Sequence, residues 1–283
     1  LHRRIPVLLN IRPSGYWPGE YFWYAGGVPA IMRAIRPYLH VDALTVTGHS
    51  VGENLDRLEA EGFFEKCYQH LADKGVKPEE IIRPLEQPIR PQGAIAILRG
   101  NLAPDGAVVK HAAISPKLMQ VTLRARVFDS EEEAIQAVLT HQIHPGEAVI
   151  IRYEGPKGSG MPEMFYTTEA IASDPQLSES IALITDGRFS GATRAPAIGH
   201  VSPAAYEGGP IALVEENDLI RIDIPARRLD LVGVQGAACS PETMETILTE
   251  RAQRWQQPQP RYDQGILRLF TRQSASPMEG GYL

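Results

Sequence analysis

KPEEIIRPLEQPIRPQG, residues 77–93, carries four prolines, Pro78, Pro84, Pro88 and Pro91. Proline fixes φ and has no backbone N–H to donate, so this stretch cannot propagate a helix and reads as an extended crossing segment. It separates two kinds of sequence, and a domain boundary is placed within it, giving residues 1–82 and 83–283.

On the N-terminal side, strand and helix signals alternate. Residues 5–11 (IPVLLNI) read as a buried strand, 28–39 as a helix, 43–48 (ALTVTG) as a strand and 50–74 as one long amphipathic helix. Such alternation argues for an α/β layer with parallel strands. The chain opens on Leu1 rather than Met and runs straight into an apolar stretch, so it is expected to be cut from something longer.

On the C-terminal side, short β-rich runs follow one another at 94–99, 108–111, 119–128, 148–153, 180–185, 211–214 and 219–224, separated by Gly, Pro and Asp turns. Their density predicts a β-barrel or sandwich core. Two helices interrupt them. Ser130 with Glu133 forms a capping-box pattern for a helix over 131–143, and Ser240-Pro241 starts a C-terminal helix with proline at its tolerated first position.

Composition narrows the function classes. At 283 residues, 43% hydrophobic and 22% charged, with a formal charge of -6, the chain is globular and has no basic surface for phosphates. Nucleic acid is not an expected partner. No apolar run approaches the length of a membrane span, and the first residues are too short for a secretory signal. A cytoplasmic protein without membrane contact is expected. Cys67 and Cys239 are the only cysteines and neither has a CxxC partner, which leaves no zinc or disulfide framework.

Two segments exceed what local structure requires. GPKGSGMPEM, residues 155–164, ends with Glu163 where a helix is expected over 164–172; the carboxylate is either a helix cap or an oxygen ligand for a hard cation such as Mg²⁺. TDGRFSGATRAPAIG, residues 185–199, follows an apolar strand. Its small residues allow close backbone approach, and Arg188 and Arg194 could hold a carboxylate, so it is a ligand site or an ordinary long loop. Ser190 within it lacks the Gly-x-Ser-x-Gly setting of a hydrolase elbow. His200, just beyond, is a structural histidine or a catalytic acid. His141 and His144 have no third ligand candidate, and metal binding there is not supported.

The run from Thr185 to Leu231, together with RPSG (12–15), AGGVPA (25–30), Thr47-Gly48 followed by Glu53-Asn54, RGNLAPDGAVVK (99–110) and GPKGSGMPEM, resembles the C-terminal half of the dihydroxy-acid and phosphogluconate dehydratase family. The resemblance covers nearly the whole chain and keeps the family's motif order. It implies an α/β fold: the C-terminal portion of a cluster-binding α/β domain, then a swivelling β-barrel domain with flanking helices. It implies a hydro-lyase that uses Mg²⁺ and an iron–sulfur cluster, [2Fe–2S] or [4Fe–4S], in a dimer or tetramer. The serine of GRFSG, here Ser190, is implied as the base that removes the C2 proton, and the glutamate of GMPEM, Glu163, as a Mg²⁺ ligand. Arg188, Thr193, His200 and Asn54 are implied as substrate-binding or supporting residues.

Departures from the family pattern set further expectations. The cluster cysteines of the family stand in N-terminal motifs that do not occur here, so this chain supplies no iron–sulfur ligand and is expected to be inactive without an N-terminal half. The short glycine loop and YWPGEYFWYAGG (16–27) look more like the sugar-acid dehydratases, so the expected substrate is an aldonate such as xylonate or arabinonate. The alternatives are the dihydroxy-acid dehydratase of branched-chain amino-acid synthesis, or a sugar-acid-binding barrel without catalysis.

Overall fold

The computed structural model describes residues 2–12, 14–189 and 197–283. The chain divides into two compact units, Leu1–Ala94 and Ile95–Leu283.

The first unit is built from helices α1 (Gly19–Tyr24), α2 (Gly27–Ala34), α3 (Val51–Ala60), α4 (Phe63–Ala72) and the short α5 (Pro78–Ile81). Phe64, Leu71, Ile81 and Ile82 are buried together at its centre. The single helix expected over 50–74 is two: Gly62, at φ 68°, takes the left-handed conformation that ends α3 and begins α4. Ser50 caps α3 and Glu53 reaches back to the Ser50 amide, a complete capping box.

The strands expected at 5–11 and 43–48 are not ladders. Val7, Leu9, Ile11 and Leu44 form isolated bridges, to Arg90, Ile82, Trp17 and Ser50 respectively. Val7 and Leu9 pair with the proline-rich segment, whose prolines have no N–H to continue a ladder, so pairing stops after one bridge at each place. That segment is thereby part of the first unit, tied to it by Val7 N to Arg90 O at 2.9 Å and Arg83 N to Leu8 O at 2.9 Å.

The second unit is a curled nine-stranded sheet with flanking helices. Its strands are β1 (Ile95–Leu98), β2 (Gly106–Lys110), β3 (Gln120–Phe128), β4 (Glu147–Ile151), β6 (Ala182–Thr185), β8 (Ala197–Ser202), β9 (Leu219–Asp223), β10 (Arg228–Val234) and β11 (Ala237–Ala238). A separate two-stranded pair, β5 (Glu163–Met164) with β7 (Arg188–Phe189), stands beside it. Spatial order is β1-β2-β8-β6-β4-β3-β9-β10-β11. The middle of the sheet, β3-β4-β6-β8, is parallel and the flanks are antiparallel.

Parallel strands need crossovers. α6 (Glu131–Leu139) connects β3 to β4, and α7 (Pro156–Ser159), α8 (Tyr166–Ser173) and α9 (Pro175–Ser178) lie between β4 and β6. Because successive side chains point to opposite faces, β4 and β6 divide their apolar residues between two cores. Ala148, Ile150, Ala182 and Ile184 fill the inside of the curl, while Val149, Ile151 and Leu183 pack beneath α6, α8 and α9. Burial on both faces is why these strands read as continuous apolar runs.

The curl ends in a seam. Arg99, directly after β1, bridges Arg228 at the start of β10, with Arg99 N to Arg227 O at 2.9 Å and Leu229 N to Arg99 O at 3.1 Å. Asn101 then acts as a length of strand made from a side chain. Its Nδ2 donates to Leu231 O at 2.8 Å and its Oδ1 accepts from Leu231 N at 2.6 Å. Gly100 between them cannot carry a side chain, since a Cβ there would lie 2.0 Å from the Leu229 carbonyl oxygen.

The short strands β5, β7 and β11 and the longer β8 and β10 lie where sequence patterning gave no strand. β8 contains Gly199 and His200, and β10 carries a buried Asp230 that Arg228 engages through Nε at 3.0 Å and Nη2 at 2.6 Å. Residues 211–214, expected to be a strand, fall largely in a 3₁₀ turn, Pro210–Leu213, because proline after glycine favours a helical start. The 131–143 helix stops at Leu139, leaving His141 and His144 beyond it. α10 (Pro241–Arg254) starts under a Ser240 cap, and α11 (Gly265–Gln273) follows.

Removing the Asn101 side chain leaves both backbone groups of Leu231 without their partner. Asn101→Ala is expected to cost about 2 kcal/mol, seen as a lower urea midpoint at unchanged slope. A loss below about 0.5 kcal/mol, by the same convention, would show that the Arg99 bridge alone closes the seam.

Candidate active site

In open α/β sheets ligands gather beyond the carboxyl ends of parallel strands. β4 and β6 are adjacent and parallel, with Ile151 opposite Thr185, so the glycine loop after β4 and the TDGRF segment after β6 leave the sheet side by side. They then pair again. β5 and β7 run parallel with Glu163 opposite Arg188 and Met164 opposite Phe189. The two segments singled out in the sequence are therefore in direct register, and Glu163 stands beside the strand that leads into Ser190.

Glu163 is exposed and lies within β5; α8 begins later, at Tyr166, without a side-chain cap. The capping alternative for Glu163 does not hold. The Arg188 Nε donates to the Met161 carbonyl at 2.9 Å and fastens the glycine loop to β7. His200, on β8, donates its backbone N–H to Gly187 O at 2.9 Å. Its half-buried imidazole is pushed below the usual histidine value by burial and then by the positive charge of Arg188. Both effects favour the neutral imidazole. Met161 at φ 55° and His200 at φ 57° both hold left-handed backbone, a costly conformation that clusters at functional sites.

Ser190, Thr193 and Arg194 lie outside the described residues. Asn54 belongs to the first unit, where its Nδ2 donates to Thr45 Oγ1 and Thr47 Oγ1, each at 2.9 Å, and shapes the turn over 45–49.

Beneath the paired loops are two buried carboxylates that sequence reading missed. Asp186, fully buried, accepts the Glu154 amide at 3.0 Å and the Ala205 amide at 2.8 Å. It thus joins the start of the glycine loop to the turn after Pro203. Burial, reinforced by the neighbouring Glu154 and resisted by the two amides, raises its carboxyl to about 6. Glu154, 1% exposed, accepts from the Glu131 amide at 3.1 Å, from the Ser159 hydroxyl, and from Arg261 Nη1 at 2.9 Å. A carboxylate directly after an all-apolar strand, followed by glycine, is the signal that could have exposed Asp186. Arg261 carried no such signal.

The donor atoms fit the two metal groups that the sequence resemblance implies unequally. An exposed carboxylate such as Glu163 suits Mg²⁺, which takes few protein oxygens and keeps several waters. Among the described residues no group of three or more His, Cys, Asp or Glu side chains is placed to hold a metal ion. An iron–sulfur cluster does not fit. Cys67 is buried and its thiol is pushed up by that burial, and the Cys239 sulfur faces Val232 O at 3.9 Å and the Met244 sulfur at 3.8 Å.

The fold and the paired loops define the class: an α/β protein with a curled sheet whose glycine loop and TDGRF segment leave the ends of adjacent parallel strands. Comparison with known proteins gives the family. Residues 80–281 match the model described as dihydroxy-acid/6-phosphogluconate dehydratase C-terminal, and residues 1–54 match its N-terminal counterpart. The chain belongs to the dihydroxy-acid/6-phosphogluconate dehydratase family.

Three relatives named dihydroxy-acid dehydratase illustrate the likeness. That of Oleidesulfovibrio alaskensis is 53% identical over 81% of this chain and 39% of its own length. That of Carboxydothermus hydrogenoformans is 46% identical over 95% and 44%. That of Methanothrix thermoacetophila is 45% identical over 100% and 48%. The chain thus spans less than half the length of these relatives. No helix among the described residues is long and apolar enough to cross a membrane.

Asp186 gives a signed pH prediction. Its folded value of about 6 lies above the ordinary 3.8, so its contribution to stability is complete below about 3.8 and is lost as the pH rises through about 6. Stability should fall by up to about 3 kcal/mol over that window from this group. Asp186→Asn should flatten this part of the pH–stability curve, and an unchanged curve would show that Asp186 does not titrate there.

Proposed function

We propose that the intact enzyme containing this chain is a hydro-lyase that converts a 2,3-dihydroxy acid to a 2-keto acid, with Ser190 as base and Glu163 as an oxygen ligand to Mg²⁺. The observation that carries this reading is the register of β5 with β7, which sets Glu163 opposite Arg188, two residues before Ser190.

The chemistry asks for this pairing. A C2–H next to a carboxylate is a very weak acid and a serine hydroxyl is a poor base. Mg²⁺, when bound, would draw charge from the substrate carboxylate and 2-hydroxyl and would stabilise the deprotonated serine oxygen. Glu163 would hold it opposite β7, the strand that precedes Ser190 in the sequence. The Ser190 oxygen takes the C2 proton, which together with the departing 3-hydroxyl makes up the water lost. The resulting enol tautomerises to the 2-keto acid. Arg188 keeps the glycine loop against β7 through Met161, and His200 on β8 is joined to the same segment by its N–H to Gly187 O. No step is assigned to iron, because the cysteines of this chain do not suit a cluster.

Of the substrates considered, the branched-chain acid is favoured over the sugar acid. The relatives at 42–53% identity carry the name dihydroxy-acid dehydratase, which outweighs the shorter glycine loop and the aromatic 16–27 segment on which the aldonate reading rested.

The intact enzyme is expected to turn over 2,3-dihydroxy-3-methylbutanoate with a higher kcat/KM than xylonate; the reverse order would restore the sugar-acid reading. Ser190→Ala is expected to remove nearly all turnover with the fold intact. Activity retained within tenfold, about 1.4 kcal/mol of barrier, would refute Ser190 as the base.

A further inference from the structure

The C-terminal segment beyond α10 crosses the back of the glycine loop, and one ion pair there is placed to control the loop's geometry. Arg261 donates Nη1 to Glu154 Oε1 at 2.9 Å and Nη2 to Glu132 Oε1 at 2.9 Å. Glu154 is almost wholly buried, and its second oxygen holds the hydroxyl of Ser159, itself buried, in α7. Four residues after Ser159 comes Glu163. The loop over 155–164 is therefore held at its middle from two sides: at Ser159 through Glu154 and Arg261, and at Met161 through Arg188.

We propose that Arg261, acting through Glu154 and Ser159, is a positioning residue that sets where Glu163 presents its carboxylate. This deepens the Mg²⁺ reading of Glu163 and rests on it. A buried carboxylate needs a charge partner, and removing that partner strands the charge at a cost of several kcal/mol. Without Arg261, Glu154 must take up a proton or draw in water, and either change weakens its hold on Ser159. The loop then keeps the Arg188 anchor and the Lys157–Glu207 ion pair at 2.6 Å but loses the hold on Ser159, and Glu163, four residues on, loses its register beside β7. Arg261 is 38% exposed, so its replacement need not disturb the core, unlike that of Glu154. A cleft of about 350 Å³, lined by Ser130, Tyr153, Gly158, Tyr206 and Arg261, lies on the Arg261 side of this contact.

The test uses the intact enzyme with Arg261→Met, Arg261→Lys and Glu163→Gln. Arg261→Met is expected to raise the Mg²⁺ concentration for half-maximal activity at least fivefold and to lower kcat, with the KM for substrate at saturating Mg²⁺ within twofold. Amide hydrogen exchange over 155–164 should speed up at least tenfold while α10 keeps its protection, and Arg261→Lys should restore most of both. An unchanged Mg²⁺ requirement with unchanged exchange over 155–164 would overturn the proposal, as would exchange that rises equally in α10. If Glu163→Gln leaves the Mg²⁺ titration unaltered, it is the metal role of Glu163 that fails, while faster exchange confined to 155–164 in Arg261→Met still supports Arg261 as the anchor of the loop.

Discussion

The parallel pairing of β4 with β6 is the constraint on which the site depends. Those strands are apolar on both faces because one row of side chains fills the curl and the other supports α6, α8 and α9. Fixed from two sides, they cannot slip in register without moving every side chain to the wrong core. Their carboxyl ends therefore deliver two loops to one place, and the short β5–β7 pair repeats the parallel alignment outside the sheet. The placement of the two loops inherits its precision from that packing.

Polar groups complete what packing begins. The seam between β1 and β10 depends on the Asn101 amide standing in for a strand, and the base of the site depends on Asp186 and Glu154 accepting amides from segments far apart in sequence. Each buried carboxylate is held by several donors, as burial of charge demands. Asp186 relies on backbone amides and is raised; Glu154 has an arginine. The same loops thus rest on one acid that resists ionisation and one that is charge-paired.

Much of this was legible in the sequence. The β-rich second unit, the caps at Ser130 and Ser240 and the two loop segments followed from apolar periodicity, capping residues and glycine content. What was not legible has physical reasons. β8 and β10 contain Gly199, His200 and Asp230, residues poor for strands, made acceptable by partners elsewhere: Gly187 O for His200, Arg228 and Asn101 for Asp230. The apolar run 5–11 reads as a strand, but it meets Arg90 and Ile82 of the proline-rich segment, and Trp17, in single bridges only. Glu163 could be named from its loop alone. Glu154 and Arg261 could not, because they lie 107 residues apart and neither is unusual until they meet.

The central claim is that Glu163 is a hard-cation ligand on the wall shared with the Ser190 segment. Its most direct test is Mn²⁺ binding, followed by electron paramagnetic resonance, to the intact enzyme with and without Glu163→Gln. The account predicts at least tenfold weaker Mn²⁺ binding in the variant and a changed signal from the bound ion. Equal affinity with an identical signal would contradict it.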